Sequence, residues 1–97
     1  MDEISPAELR ERISAVLDHG IVSFGTHCKQ RMAERHFIAV DVVNVLRDGQ
    51  TRKGRWDGRD WIYDVFTERM KVEIKFVDES KIFVLTTVRI GRGHALS

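Results

Sequence analysis

Residues 61–88 read WIYDVFTERMKVEIKFVDESKIFVLTTV, and the alternation in this stretch decides the fold. Trp61, Tyr63 and Val65 alternate with Ile62, Asp64 and Phe66, and the Asp57-Gly58 pair ahead of them is a two-residue hairpin signal. Met70, Val72, Ile74 and Phe76 share one face of a following strand, and Lys71, Glu73 and Lys75 share the other. Asp78-Glu79-Ser80 turns the chain. Lys81 to Val88 then carries apolar side chains on both faces, Ile82 and Val84 on one, Phe83 and Leu85 on the other. A strand buried on both sides belongs in the interior of a sheet.

Upstream of Gly49 the period is helical. Ser5-Pro6-Ala7-Glu8 offers an N-cap hydroxyl, Pro at the first helical position and a Glu that can close a capping box. Leu9, Ile13, Val16 and Leu17 follow at helical spacing, and Gly20 offers a left-handed stop. Ile21 to Phe24, between Gly20 and Gly25, reads as a short strand; Thr26 can cap a helix over His27 to Arg35. Another helix, Val40 to Asp48, stacks Val42, Val43, Val45 and Leu46, so 27–48 reads as a helical hairpin turning at Phe37-Ile38. The expected class is α+β: an α-β-α-α segment packed on one face of an antiparallel sheet of three or four strands. The opposite face is left partly open.

Composition agrees with one small domain spanning 1–97. The chain has 97 residues, 42% hydrophobic and 32% charged, with one Pro, one Cys and a net charge of +1. That apolar content is too high for a disordered chain, and no apolar run approaches the roughly 18 residues of a membrane helix. Cys28 alone cannot form an internal disulfide, and Met1-Asp2-Glu3 lacks the basic and apolar regions of a secretory signal, so the cytoplasm is the expected compartment. A domain of this size has little room for an enclosed substrate cavity, which directs function to a surface or shallow groove.

The near-neutral total conceals a division. Residues 1–25 carry a net −3, residues 26–59 a net +4, and residues 60–97 balance. The basic middle is a candidate phosphate footprint. Within it His27, Arg31 and Arg35 recur every fourth residue and share an arc of about 80° on a helix, with Cys28 and Met32 spaced as its buried side. Arg presents two parallel donors to phosphate, and His titrates near neutral pH and can act as general acid or base. The alternative is that Arg31 and Arg35 pair with Glu34, Asp41 or other carboxylates and that His27 only caps the helix start.

The run from Thr26 to Ile38, followed by Val43, Leu46 and Gly49, resembles the opening signature of the domain-of-unknown-function 4258 family of small bacterial proteins. There a His, an Arg-Met pair and a Glu-Arg pair take these spacings before a helix ending in Leu-x-x-Gly. The likeness covers residues 26–49; elsewhere only the order of elements is similar, an order also found in the RelE-like toxin superfamily. Two departures stand out, because the family has Gly near Phe37 and Ser or Thr near Ala39.

The resemblance implies a RelE-like fold and a toxin of a type II toxin-antitoxin pair, an endoribonuclease that cuts messenger RNA, free or on the ribosome, without metal or cofactor. Its partners would be RNA and a cognate antitoxin protein, with no membrane. In such a reaction the RNA 2′-hydroxyl attacks the adjacent phosphorus. This requires a base, an acid for the 5′-oxygen and cations around the phosphorane. The motif match supplies His27 as acid or base and Arg31 and Arg35 as phosphate clamps; Lys75, a further catalytic cation on the exposed sheet face, rests on charge and strand alternation instead. Charge and strand alternation add Lys53, Arg55 and Arg89 as holders of flanking phosphates, and Trp56, Trp61 or Tyr63 as stacking platforms or as sheet packing. His19, His27, His36, His94 and Cys28 form no recognised metal pattern. Residues 89–97, with Arg92 and His94, are expected to form a mobile tail. A non-catalytic domain that docks a protein or nucleic acid through the same helix is the competing expectation.

Overall fold

A computed structural model of the chain describes residues 2–90. The elements are α1 (Pro6–His19), β1 (Ile21–Phe24), α2 (Thr26–Glu34), α3 (Ala39–Asp48), β2 (Gln50–Thr51), β3 (Arg55–Trp56), β4 (Trp61–Phe66), β5 (Met70–Asp78) and β6 (Lys81–Arg89). The class is α+β, and the sheet is larger than the expected three or four strands. It has six strands, ordered β1-β6-β5-β4-β2, with β3 on β4.

The sheet is also mixed rather than purely antiparallel. β4, β5 and β6 form the expected meander, but β1 joins it parallel to β6, with Val22 opposite Ile82 and Phe24 opposite Val84. β6 is therefore interior, as its two apolar faces require. β2 and β3 pair with the two halves of β4 along one edge, Thr51 with Val65 and Arg55 with Ile62. The hairpin at Asp57-Gly58 exists but holds four residues between the paired Trp56 and Trp61. There the Asp57 carboxylate accepts from the Arg59 and Asp60 amides at 2.9 and 2.7 Å, and Gly58 takes φ 96°. Between β5 and β6 the register slips from Glu73–Thr86 to Ile74–Val84, leaving Leu85 as the extra residue of a bulge.

All three helices cover one face. Leu9, Ile13 and Val16 of α1, Cys28 and Met32 of α2, and Val42, Val45 and Leu46 of α3 meet Tyr63, Val65, Val72, Ile74, Ile82 and Val84 in a single core. Each such Leu, Ile or Val contributes about 1.5–3 kcal/mol by leaving water. Arg10 ties α1 to the end of α3, donating to the carbonyls of Leu46 at 2.7 Å, Arg47 at 3.2 Å and Gly49. These are carbonyls that a helix end leaves unpaired, and a cation there also complements the helix dipole. The N-terminal segment is pinned where the Ile4 amide donates to the buried Tyr63 hydroxyl at 2.9 Å.

Local expectations at the helix ends are corrected in four places. Ser5 caps α1 by accepting from the Glu8 amide at 3.3 Å, while the Glu8 carboxylate pairs with Arg12 at 2.8 Å rather than closing a capping box. Gly20 is extended (φ −113°) and not left-handed; a Cβ there would lie 2.1 Å from the Ser80 carbonyl oxygen, so close approach is what requires glycine. Gly25, not Thr26, is the N-cap of α2, and no side chain caps that end. The α2–α3 turn closes on His36 at φ 61°, with the His36 amide on the Ala33 carbonyl and the Phe37 amide on that of Met32. This is a Schellman closure with His in the position usually given to Gly. The Asp41 carboxylate then accepts from the Ile38 amide at 2.9 Å at the start of α3.

Gly49 is buried where α3 turns into β2, and a Cβ would meet the carbonyl oxygens of Val45 at 2.6 Å and Phe66 at 2.8 Å. Gly49→Ala is expected to lower stability by about 1–3 kcal/mol, since backbone must move on two elements, and a urea denaturation curve reads the loss. β6 includes Arg89, so the expected 89–97 tail does not begin there; residues 91–97, with Arg92 and His94, lie outside the described residues. Among the described residues no helix is long and apolar enough to cross a membrane.

Candidate functional site

The sequence-predicted site residues fall on two surfaces separated by the sheet. α2 buries Cys28 and Met32 against the covered face beside β6. His27, Arg31 and Arg35 form a row along its other side, about 12 Å from first to last at 1.5 Å per residue. His27 is exposed at the helix start and Arg31 is half-buried; neither side chain has a hydrogen bond or ion pair among the described residues. Arg35 is committed: its guanidinium donates to the Thr87 carbonyl at 3.0 Å. Arg89 donates to the Arg35 carbonyl at 2.8 Å and lies over the Phe37 ring at 4.8 Å. Arg35 and Arg89 thus fasten the end of α2 to the end of β6. The carboxylates that could have neutralised this row are elsewhere: Asp41 caps α3, and no ion pair joins Glu34 to Arg31 or Arg35.

Lys75 and Arg55 belong to the opposite, uncovered face. Lys75 sits between Ile74 and Phe76, whose side chains face the core, and its ammonium reaches Asp60 at 3.0 Å and the Phe83 ring at 5.9 Å. Arg55 bonds Asp64 at 2.9 Å and Glu73 at 3.0 Å, and Lys71 bonds Glu73 at 3.3 Å. The hydrogen bond to Asp64 is the largest of the influences that raise the Arg55 pKa. Arg52 lies over the Phe66 ring at 4.4 Å. Lys53 is exposed between β2 and β3 with no polar partner among the described residues. Most cations of the open face are therefore already matched by carboxylates, and a phosphate would have to displace them.

Lys75 is on the exposed sheet face, as alternation predicts, yet it is not assembled with His27. Its ammonium is held by Asp60, and no hydrogen bond or ion pair among the described residues joins it to the side chains of His27, Arg31 or Arg35. Glu73 was the partner that charge counting overlooked; its signal is the Lys71-Glu73-Lys75 row, which puts a carboxylate between two cations. Of the three aromatic candidates, Tyr63 is core: it is 1% exposed and its hydroxyl accepts from Ile4. Trp56 is exposed, and its ring meets half-buried Trp61 at 5.6 Å and 59°.

Cys28 is fully buried, and burial pushes its thiol above the ordinary 9.0. Burial is also the largest cause raising the Tyr63 hydroxyl above 10.0, partly offset by the Ile4 hydrogen bond. A thiol held neutral is a poor nucleophile. Both groups keep their protons longer in the folded state than in the unfolded one. Their stabilising contribution is complete below the unfolded values and is lost as pH rises through the folded ones. Unfolding by urea is accordingly expected to vary little around neutrality and to become easier above about pH 9, with Cys28→Ala flattening the first part of that decline.

Among the described residues no group of three or more His, Cys, Asp or Glu could hold a metal ion. No protein-family model, curated protein or solved structure matches this chain.

Proposed function

We propose that this domain is a metal-independent endoribonuclease of the toxin kind, gripping single-stranded RNA on α2. One observation carries the reading: His27 and Arg31 stand on one helix face with no carboxylate partner among the described residues, while the cations of the open sheet face are mostly paired. An unpaired guanidinium can bind phosphate without first breaking an ion pair. The start of α2 adds to this, because no side chain caps it and its first-turn amides can donate to a phosphate oxygen. His27, in that first turn, is placed to exchange a proton with the 2′-hydroxyl or the 5′-oxygen, while Arg31 stabilises charge on the phosphorane. Arg35 holds the helix in position through Thr87. Such an enzyme would act in the cytoplasm and be neutralised there by an antitoxin protein.

A second reading, a binding domain that breaks no bond, is favoured by a different fact. Transesterification uses both an acid and a base, and the α2 row offers one imidazole, His27, while Lys75 is on the open sheet face and held by Asp60. Purified full chain incubated with single-stranded RNA in EDTA distinguishes the two. Cleavage leaving 2′,3′-cyclic phosphate ends, and growth arrest on expression alone, support the enzyme. Salt-sensitive binding with intact RNA selects the binding domain, and absence of both binding and cleavage refutes both readings.

A further inference from the structure

On the side of the fold away from α2, the β3–β4 hairpin, the end of β5 and the N-terminal segment enclose a cavity of about 170 Å³. Its walls are aromatic: Trp56, Trp61, Tyr63 and Phe76, closed by Ile4 and Val77. The rings stand steeply to one another, Trp56 and Trp61 at 59° and Tyr63 and Phe76 at 63°, so they form a box and not a parallel-sided slot. Aromatic rings carry partial negative charge on their faces, so several of them around one space suit a positively charged group. The Phe76 ring already meets one such group, the Arg12 guanidinium of α1 at 5.6 Å from its centre. Trp56 and Val77 are each 52% exposed, a large apolar surface to leave in water beside a pocket.

Ile4, Phe76 and Val77 also line a neighbouring open cleft of about 500 Å³. Asp2, Glu3, Glu8, Asp78 and Glu79 surround it, with Arg12 as the one cation among the described residues that line it. Arg12 is held by Glu8, and in the aromatic cavity the Asp60 carboxylate is bonded to Lys75, which leaves Arg59 as a cation at its wall. Across the two, carboxylates still outnumber cations among the described residues, the reverse of the α2 face, and such a surface repels a phosphate backbone.

We propose that this surface docks a basic polypeptide segment, with one Arg or Lys side chain inserted among Trp56, Trp61 and Phe76 and neighbouring basic groups facing Asp2, Glu8 and Glu79. Apolar stems would cover Val77 and Ile4, and the charged heads would stay at the carboxylate rim. Charge complementarity selects this occupant over RNA, and the site's position leaves α2 free while it is filled.

Titrating the full chain with a short oligo-arginine peptide, followed by tryptophan fluorescence and calorimetry, tests this. The expected result is saturable binding that Trp56→Ala weakens by about tenfold, as loss of a desolvated cation–π contact implies. Glu79→Lys should weaken it several-fold without touching the rings, and His27→Ala should leave it unchanged. Circular dichroism establishes that each variant is folded; both positions are exposed and outside the core. Peptide affinity indifferent to Trp56→Ala would overturn the proposal. So would binding of single-stranded RNA that depends on Trp56, which would make the pocket a base-stacking site.

Discussion

Replacing His27 with Ala is expected to slow RNA cleavage by about 10²–10⁴-fold, the usual contribution of a positioned acid–base group. The imidazole is exposed and makes no hydrogen bond among the described residues. Removing it should therefore change stability by no more than about 0.5 kcal/mol, a melting shift of about 4 °C or less for a domain of this size. Arg31→Ala should behave differently: RNA binding weakens, and the salt dependence of binding flattens by about one counterion. Parallel cleavage rates and melting curves for the two variants read both effects. Cleavage lost in proportion to stability would make the α2 face structural, and unimpaired cleavage by His27→Ala would move the chemistry elsewhere.

Leu46→Ala is expected to destabilise the fold by about 2–5 kcal/mol, the range for truncating a large aliphatic side chain in a packed core. Leu46 is fully buried in the helix-covered core and belongs to the α3 turn whose carbonyls Arg10 collects. A small domain is commonly stable by about 5–15 kcal/mol in all, so this one side chain accounts for a large share. Chemical denaturation should show a lowered midpoint with a similar slope. Arg10→Ala, by contrast, should cost about what a few charge-assisted hydrogen bonds contribute, with the core intact. A small effect of Leu46→Ala would mean that the α1–α3 contact does not support the fold as described.

Much of this architecture was legible along the chain. Ser5-Pro6 marks the start of α1, the Met70–Phe76 alternation divides β5 into a core face and a charged face, and the two apolar faces of β6 put it inside the sheet. Each is a local pattern that burial reads directly. The parallel partner of β6 was not legible, because four residues, Ile21 to Phe24, suit several neighbours and only the path through α1 and α2 chooses one. Nor was the use of Gly20: a turn signal was visible, but the Ser80 carbonyl that forbids a Cβ lies sixty residues away in sequence. The left-handed His36 was hidden for a related reason, since its neighbours' hydrogen bonds hold a conformation that its own side chain does not favour.

The candidate site divides in the same way. Spacing alone determined that His27, Arg31 and Arg35 share one side of a helix and that Cys28 and Met32 are its core side, because 3.6 residues per turn leave no choice. Strand period likewise determined that Lys75 and Glu73 share the face away from Ile74 and Phe76. Only the tertiary structure decided which of these charges are free. It brought Thr87 to Arg35, Asp64 and Glu73 to Arg55, and Asp60 to Lys75, and it left His27 and Arg31 without a partner among the described residues. It also gathered Trp56, Trp61 and Phe76 around a cavity beside an acidic cleft. A charge count follows from sequence, but whether a charge is available depends on what lies within a few ångströms, and long-range packing sets that distance.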